Sequence, residues 1–329
     1  MRLLTNKIWL NNVLRLGGLT LLALALGLCL GSKQLHFYNL WNDPQSLDNT
    51  ILWQIRLPRV LMAALVGLSL ACSGTLFQGL LRNPLADPYI LGISGGAALG
   101  SVLGIALQLS PLAHMLTAFC AALISGLFMF VLAKNKAALD RTHLLLIGVI
   151  FNAFCFAGIL LFNSLANINE AYQVMLMLMG SIPANSFKEI LPIAAVILSS
   201  FTLCILLAPQ LNQLCFRVNE QSKTQQKTFL VFYILATLLV SVAVATSGLI
   251  GFVGLCVPHI ARLLAGSDHR SLIPVSGLLG AAFLSLADSL ARSALFSTGF
   301  ATELPVGVIT AFFGAPFFLW LLLKRKRVA

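Results

Sequence analysis

Long apolar runs alternate with short polar stretches along almost the whole chain. Runs long enough to cross a bilayer occur at roughly 10–30, 57–80, 89–108, 112–133, 143–163, 189–208, 228–247, 249–265, 272–297 and 305–323, where a crossing needs about 20 residues. The eighth is the weakest, being short and containing Pro258, His259 and Arg262. The stretch Val174–Gly180, VMLMLMG, is too short to span and reads as a surface or re-entrant helix. The pattern predicts an all-α, polytopic membrane bundle of about ten transmembrane helices, forming a single transmembrane domain over 1–329.

Composition supports the bundle and excludes most other classes. The chain is 59% hydrophobic and 9% charged, with a mean hydropathy of +0.93. Soluble domains carry about a quarter charged residues. The net charge of +11 does not indicate nucleic acid, because the basic residues are scattered through short loops. Their distribution indicates topology instead. Ten crossings place both termini on one side, and that side holds sixteen of the 21 Lys and Arg residues. The positive-inside rule makes it the cytoplasmic side. The tail KRKRVA is then an anchor at the inner lipid surface, and the basic N-terminus leads into a first helix expected to stay uncleaved.

Five basic residues fall on the outer side: Lys33, Arg56, Arg59, Lys188 and Arg292. Arg56, Arg59 and Arg292 lie at or near span ends. Such arginines either snorkel to lipid headgroups or capture carboxylates, which a guanidinium binds with two parallel donors.

Other residue patterns carry less. Six of the seven cysteines fall inside apolar runs with no CxxC spacing, and read as small packing residues rather than as a disulfide or metal set. Gly92, Gly96, Gly100 and Gly104 recur every four residues on one helix face. This ridge allows close helix packing, or lines a passage for a bulky solute. GISGG at 92–96 has the spacing of a serine hydrolase elbow, but in a helical, apolar context. An intramembrane serine protease would need a span-borne histidine such as His259 beside Ser94. His259, Asp268 and His269 match no metal-ligand spacing, so no metal and no cofactor is expected. No phosphate-cradling loop of the GxxxxGK[ST] kind occurs, so a pump built on this chain draws its energy from another subunit or from an ion gradient. The main ionisable residues within spans are Asp288, Arg292 and Arg262, all near span ends, whereas ion-coupled carriers usually bury acids at mid-membrane. ACSGTLFQGL (71–80) faintly echoes ATSGLIGFVGL (245–255), and ADPYILGISGG (86–96) echoes SDHRSLIPVSGLLG (267–280); the echoes fit either a duplicated half or chance.

Four longer stretches carry a resemblance. They are QIRLPRVLMAALVGLSLACSGTLFQGLLRNPLADPYILGISGGAALG (54–100), GLIGFVGLCVPHIARLLAGSDHR (248–270), LADSLAR (286–292) and ELPVGVITAFFGAPFFLWLL (303–322). In this order they resemble the FecCD family, the permeases of binding-protein-dependent ABC importers for iron–siderophore, haem and vitamin B12. The resemblance implies a multi-pass protein of the cell inner membrane that moves an iron chelate inward by alternating access and is not itself an enzyme. ATP hydrolysis is then expected on partner ABC ATPase subunits. A periplasmic or lipoprotein solute-binding protein docks outside, and the permease works as a homodimer or with a paralogue. A vitamin B12 importer is the alternative within the family. An ion-coupled secondary transporter and, remotely, the protease are the alternatives outside it.

The resemblance also assigns residues. Acidic groups of the binding protein are expected on Arg56, Arg59 and Arg292. ATPase coupling is expected in a cytoplasmic loop at about 209–227, at Arg217, Val218, Asn219, Glu220, Gln221, Ser222, Lys223 and Thr224, although the family's Ala-x-x-Leu-Gly pattern is missing there. The inner gate is expected where the fifth span begins, at Arg141 and Thr142; Arg141 departs from the usual small hydroxyl residues and also suits inner-side anchoring. Asn152, polar and mid-span, either lines the path or bonds a neighbouring helix.

Overall fold

The computed structural model describes residues 6–31, 33, 46–133, 141–183, 186–216, 223–294 and 303–325. The described residues form eleven helices of twelve or more residues: α1 Asn6–Cys29, α2 Leu57–Leu80, α3 Ile93–Ala106, α4 Pro111–Ala133, α5 Arg141–Leu165, α6 Ile168–Met179, α7 Phe187–Phe216, α8 Lys223–Ser247, α9 Val253–Ala265, α10 His269–Ser293 and α11 Val306–Arg325. The described residues contain no strand. Among the described residues six segments have the length and apolarity of a crossing: 47–80, α4, α5, 187–215, 224–247 and α10. The other four expected spans correspond to shorter apolar stretches: 13–29, α3, α9 and 306–321. Helix length alone therefore does not carry the expected count of ten.

The short stretch around Val174 is α6, twelve residues with a capping box at its start. The Asn167 side chain accepts from Glu170 N at 2.9 Å, and the Glu170 carboxylate accepts from Asn167 N at 3.2 Å, which satisfies two otherwise orphaned donors.

α2 is apolar on every face, and a helix of that kind belongs inside. It packs against α7, α8, α9 and α10. Glycines set the closest of these contacts. A Cβ on Gly67 would stand 2.2 Å from Gly280 O of α10, and one on Gly74 would stand 1.9 Å from Gly254 O of α9. Backbone thus meets backbone where membrane helices gain dispersion energy but little from the hydrophobic effect. Buried hydroxyls tie further pairs together: Ser69 Oγ donates to Leu239 O at 2.8 Å, and Tyr233 Oη donates to Gly126 O at 2.9 Å. α4 and α5 instead expose wide apolar faces, including Ile124, Phe128, Ile150 and Phe154, as expected of helices that meet lipid or another subunit.

All seven cysteines are free thiols, four of them buried. The first sequence echo pairs the unbroken C-terminal half of α2 with a segment that leaves α8, crosses a non-helical break and enters α9, so the paired residues differ in conformation.

Candidate functional site

Three places gather the polar chemistry of the bundle: an outer arginine cluster, a knot of irregular backbone within it, and an inner clamp.

The outer cluster is built by a π-helical turn, Ile51–Arg56, that leads into α2. Such turns inside helices often occur at functional positions. Arg56 is only 3% exposed. Its guanidinium donates to Leu28 O and Cys29 O, both at 2.9 Å, and to Lys33 O. These include carbonyls left without partners at the end of α1, and a cation there also complements the helix dipole. Arg292, 5% exposed, donates to Gly27 O of the same helix at 3.0 Å. Its Nε lies 3.0 Å from Asp288 Oδ2, off the line of a hydrogen bond, so this contact is electrostatic. Arg59 faces Asp288 from the other side, with Nε 3.2 Å and Nη2 3.1 Å from Oδ1. Its Nη1 donates to Glu303 Oε2 at 2.6 Å. The structure therefore does not present three equivalent outward guanidiniums. Arg56 and Arg292 are spent on this chain's own acceptors, because α1 ends against them. Among the described residues, Arg59 is the one of the three that reaches an exposed carboxylate. Asp288 is fully buried, with an arginine on each side of its carboxylate.

The knot forms where α3 and α9 begin. Both helices are short, 14 and 13 residues, or about 20 Å at 1.5 Å per residue, against a hydrocarbon core of about 30 Å. Both start from a left-handed residue, Gly92 at φ 81° and Phe252 at φ 68°. The non-helical segments ahead of them meet: Tyr89 Oη accepts from Ile250 N, and Tyr89 O accepts from Asn152 Nδ2. Ser181 N donates to Ser247 O at 2.9 Å, Leu249 N to Met177 O at 3.1 Å, and Gly307 N to Gly180 O at 3.2 Å. Irregular backbone in a membrane protein needs such internal partners. A cavity of about 500 Å³ opens beside the knot, lined by Tyr89, Ser94, Asn152, Phe156 and Leu249 among others. Asn152 bonds the turn ahead of α3 and is one of the residues that line this cavity. Among the described residues the Ser94 hydroxyl has no hydrogen-bond partner, so no histidine pairs with it there.

The glycine positions divide. Gly96, Gly100 and Gly104 face α4: an added Cβ would stand 1.8 Å from Ser125 Oγ, 2.4 Å from Ala121 Cβ and 2.6 Å from His114, respectively. That face of α3 is filled by a helix and does not line a passage. Gly92 has a different task, the left-handed turn into α3.

The inner clamp lies at the end that the basic-residue count assigns to the cytoplasm. The expected coupling loop is largely helical: α7 runs on through Pro209 to Phe216, and α8 starts at Lys223. Nothing between Gln210 and Phe216 breaks the helix. Arg217, Val218, Asn219, Glu220, Gln221 and Ser222 lie outside the described residues; Lys223 and Thr224 open α8. Just before this segment, α7 is fastened to the rest of the bundle. Asn212 Nδ2 donates to Asp268 Oδ1 at 2.7 Å. Asn212 Oδ1 accepts from His269 N at 3.0 Å and lies 2.8 Å from His269 Nδ1. An amide oxygen only accepts, so Nδ1 carries the proton. Arg82, left-handed at φ 48° after α2, donates to Leu214 O at 3.0 Å, and Cys215 Sγ contacts Gly79 O at 3.4 Å. Asn212 and Glu303 were not among the residues expected from sequence; only their distant partners make them visible. Arg141 and Thr142 form the first turn of α5, the one half-buried and the other exposed. Among the described residues no three His, Cys, Asp or Glu side chains converge as metal ligands.

Comparison with known proteins places this arrangement. The profile of the FecCD transport family matches residues 19–324. The chain is 40% identical over 317 residues to the hemin transport system permease protein HmuU of Yersinia pestis, covering 93% of each chain. It is 38% identical over 334 residues to the vitamin B12 import system permease protein BtuC of Citrobacter koseri, covering 98% of this chain and 96% of the other. It is 36% identical over 287 residues to the Fe(3+) dicitrate transport system permease protein FecC of Escherichia coli, covering 85% of each. A solved transporter described as metal-chelate type, in an inward-facing conformation, superposes with a TM-score of 0.83 at 29% identity, covering 96% of this chain and 99% of that one.

Proposed function

The chain belongs to the FecCD transport family, and from that premise we propose that it is the permease subunit through which an ABC importer carries an iron chelate, a siderophore complex or haem, into the cytoplasm. The observation that carries this reading, beyond membership, is the state of Asp288. The buried carboxylate within a span is held between Arg59 and Arg292, which leaves it no part in binding a coupling ion. The energy for alternating access then comes from ATPase subunits bound at the inner side. Their motion reaches the bundle through the segment after α7, and the clamp at Asn212 hands it to α2 and α10. A solute-binding protein docks at the outer arginine cluster, with Arg59 as the contact and Arg56 and Arg292 as the frame that holds it. Two permease subunits, identical or paralogous, pair around the path.

The iron-chelate reading draws support from the hemin and ferric dicitrate permeases among the relatives. The B12 reading keeps support from a relative that aligns over nearly the whole chain.

The test is affinity purification of the tagged chain from its own membranes in mild detergent, with mass spectrometry of the co-purifying proteins. An ATPase carrying the phosphate-loop motif, with a solute-binding protein, is the expected result. Uptake of iron-55-labelled chelates, hemin and labelled cobalamin by vesicles containing the complex then identifies the cargo. Recovery of the chain alone, with uptake that follows an ion gradient and ignores ATP, would refute the proposal.

A further inference from the structure

The outer cluster holds three guanidiniums, Arg56, Arg59 and Arg292, and two carboxylates, Asp288 and Glu303. The two carboxylates differ in kind. Asp288 is fully buried, sits on the same helix as Arg292, and is part of the frame. Glu303 comes from the stretch leading into α11 and has a side chain 40% exposed, yet it makes the shortest contact to Arg59, 2.6 Å. Leu304 N, next to it, donates to Ala291 O at 3.2 Å, which sets the glutamate over the arginine. An exposed carboxylate on an otherwise enclosed guanidinium occupies the place that a carboxylate of a partner would take.

We propose that Glu303 is a built-in competitor for the docking site: it fills the outward face of Arg59 until an acidic residue of the solute-binding protein displaces it. This rests on the docking reading above and adds a residue to it. The charges favour the exchange. Turning Glu303 to solvent removes one negative charge from beside Arg59 and leaves the site more positive, the state better suited to an incoming anion. The exchange is also inexpensive on the permease side. The leaving carboxylate is already 40% exposed and becomes fully solvated when it turns to water, while Arg59 keeps its pairing to Asp288. Arg59 keeps both donors to Asp288 throughout, so it remains aimed outward when Glu303 leaves. An unoccupied Arg59 would attract any acidic surface, and Glu303 makes recognition depend on a partner that brings the rest of its interface.

The experiment uses the complete permease in detergent and the solute-binding protein recovered in the purification described above. Its affinity is measured for wild type, Glu303→Gln, Arg59→Gln and the double variant, at low and high salt, with thermal unfolding of each to confirm folding. Glu303→Gln should bind about fivefold more tightly at low salt. The gain should shrink as salt rises and vanish in the Arg59→Gln background. If Glu303→Gln binds no better than wild type while Arg59→Gln binds worse, the competitor role is overturned and docking at Arg59 stands. A gain that survives in the Arg59→Gln background overturns the competitor role as well. If neither single variant changes the affinity, both the competitor role and docking at Arg59 are overturned.

Discussion

Replacing Asn212 by aspartate changes one side-chain nitrogen to oxygen and nothing in size, yet it should disconnect the inner clamp in a pH-dependent way. In the structure Asn212 Nδ2 donates to Asp268 Oδ1 at 2.7 Å. In the variant, two carboxylate oxygens would face each other there. At an effective dielectric constant near 20, two unit charges at that distance repel by ~6 kcal/mol. The alternative is for one carboxyl to keep a proton. At pH 7 that costs about 1.4 kcal/mol for each pH unit above the ordinary value near 3.9, or about 4 kcal/mol in all. Protonation is the smaller cost, so the folded pair takes up a proton and its pKa stands above that of the unfolded chain. The sign follows: the clamp holds at low pH and weakens as pH rises toward the raised folded value. The defect should be about 1.5 kcal/mol at pH 5 and near 4 kcal/mol at pH 7. Asn212→Ala orphans the His269 donors, at about 1–3 kcal/mol each, but introduces no acid. The assay is uptake and ATP hydrolysis by the assembled complex in proteoliposomes at pH 5.5 and 8, with thermal unfolding in parallel. Asn212→Asp should lose uptake while keeping ATP hydrolysis, and recover uptake as pH falls. Asn212→Ala should be impaired with a pH profile parallel to wild type. Identical pH profiles for the two variants, or wild-type uptake by Asn212→Asp at pH 8, would refute the reasoning.

Other variants test the remaining contacts. Arg56→Gln leaves carbonyls at the end of α1 without their charged donor and should destabilise the protein by about 3 kcal/mol, read as earlier thermal unfolding and faster proteolysis near Leu30; Arg56→Lys should fall between, because one ammonium cannot reproduce the fork. Tyr89→Phe removes the acceptor of Ile250 N and should cost about 1–3 kcal/mol in a detergent unfolding titration. Gly100→Ala puts a Cβ 2.4 Å from Ala121 Cβ and 2.8 Å from Thr117 O, and should cost about 1–3 kcal/mol by overpacking, whereas Gly17→Ala, with nothing within 4 Å, should stabilise by about 0.5–1 kcal/mol.

The membrane bundle was legible in the sequence because each long apolar run has to satisfy its own backbone, and only a helix does that without help. The short elements were harder for the same reason. α3 and α9 look like ordinary spans by hydropathy, but their first residues join the non-helical segments 81–92 and 248–252, whose backbone is satisfied by groups far along the chain. No local pattern announces that Tyr89 will serve Ile250. The glycine ridge on α3 was legible as a packing surface, but its partner helix was not. The coupling segment was read as a loop because Pro209 and a run of polar residues interrupt the apolar pattern. A proline inside a helix removes one hydrogen bond, and α7 carries two prolines without ending.

The arginines show most clearly where charge counting stops. The count placed Arg56, Arg59 and Arg292 on the outer side, and a shared address suggests a shared task. Their surroundings separate them. Arg56 follows a π-helical turn and meets the free carbonyls of α1, so its charge serves as a helix cap. Arg292 is one helical turn beyond Asp288, which commits it to that carboxylate and to Gly27. Arg59, three residues after Arg56 and so on a neighbouring face of the helix, receives the other side of Asp288 and still has a donor for Glu303. A buried carboxylate between two guanidiniums adds little net stability, since desolvation consumes much of the Coulomb gain. What it supplies is position. With Asp288 locked by Arg292, Arg59 is held at a fixed angle at the outer end of α2, the helix that touches α7, α8, α9 and α10. α2 also meets the start of α9 through Gly74 and the inner clamp through Gly79. On the docking reading proposed above, that connection, rather than the number of outward charges, is what would couple the outer cluster to the inner end of the bundle.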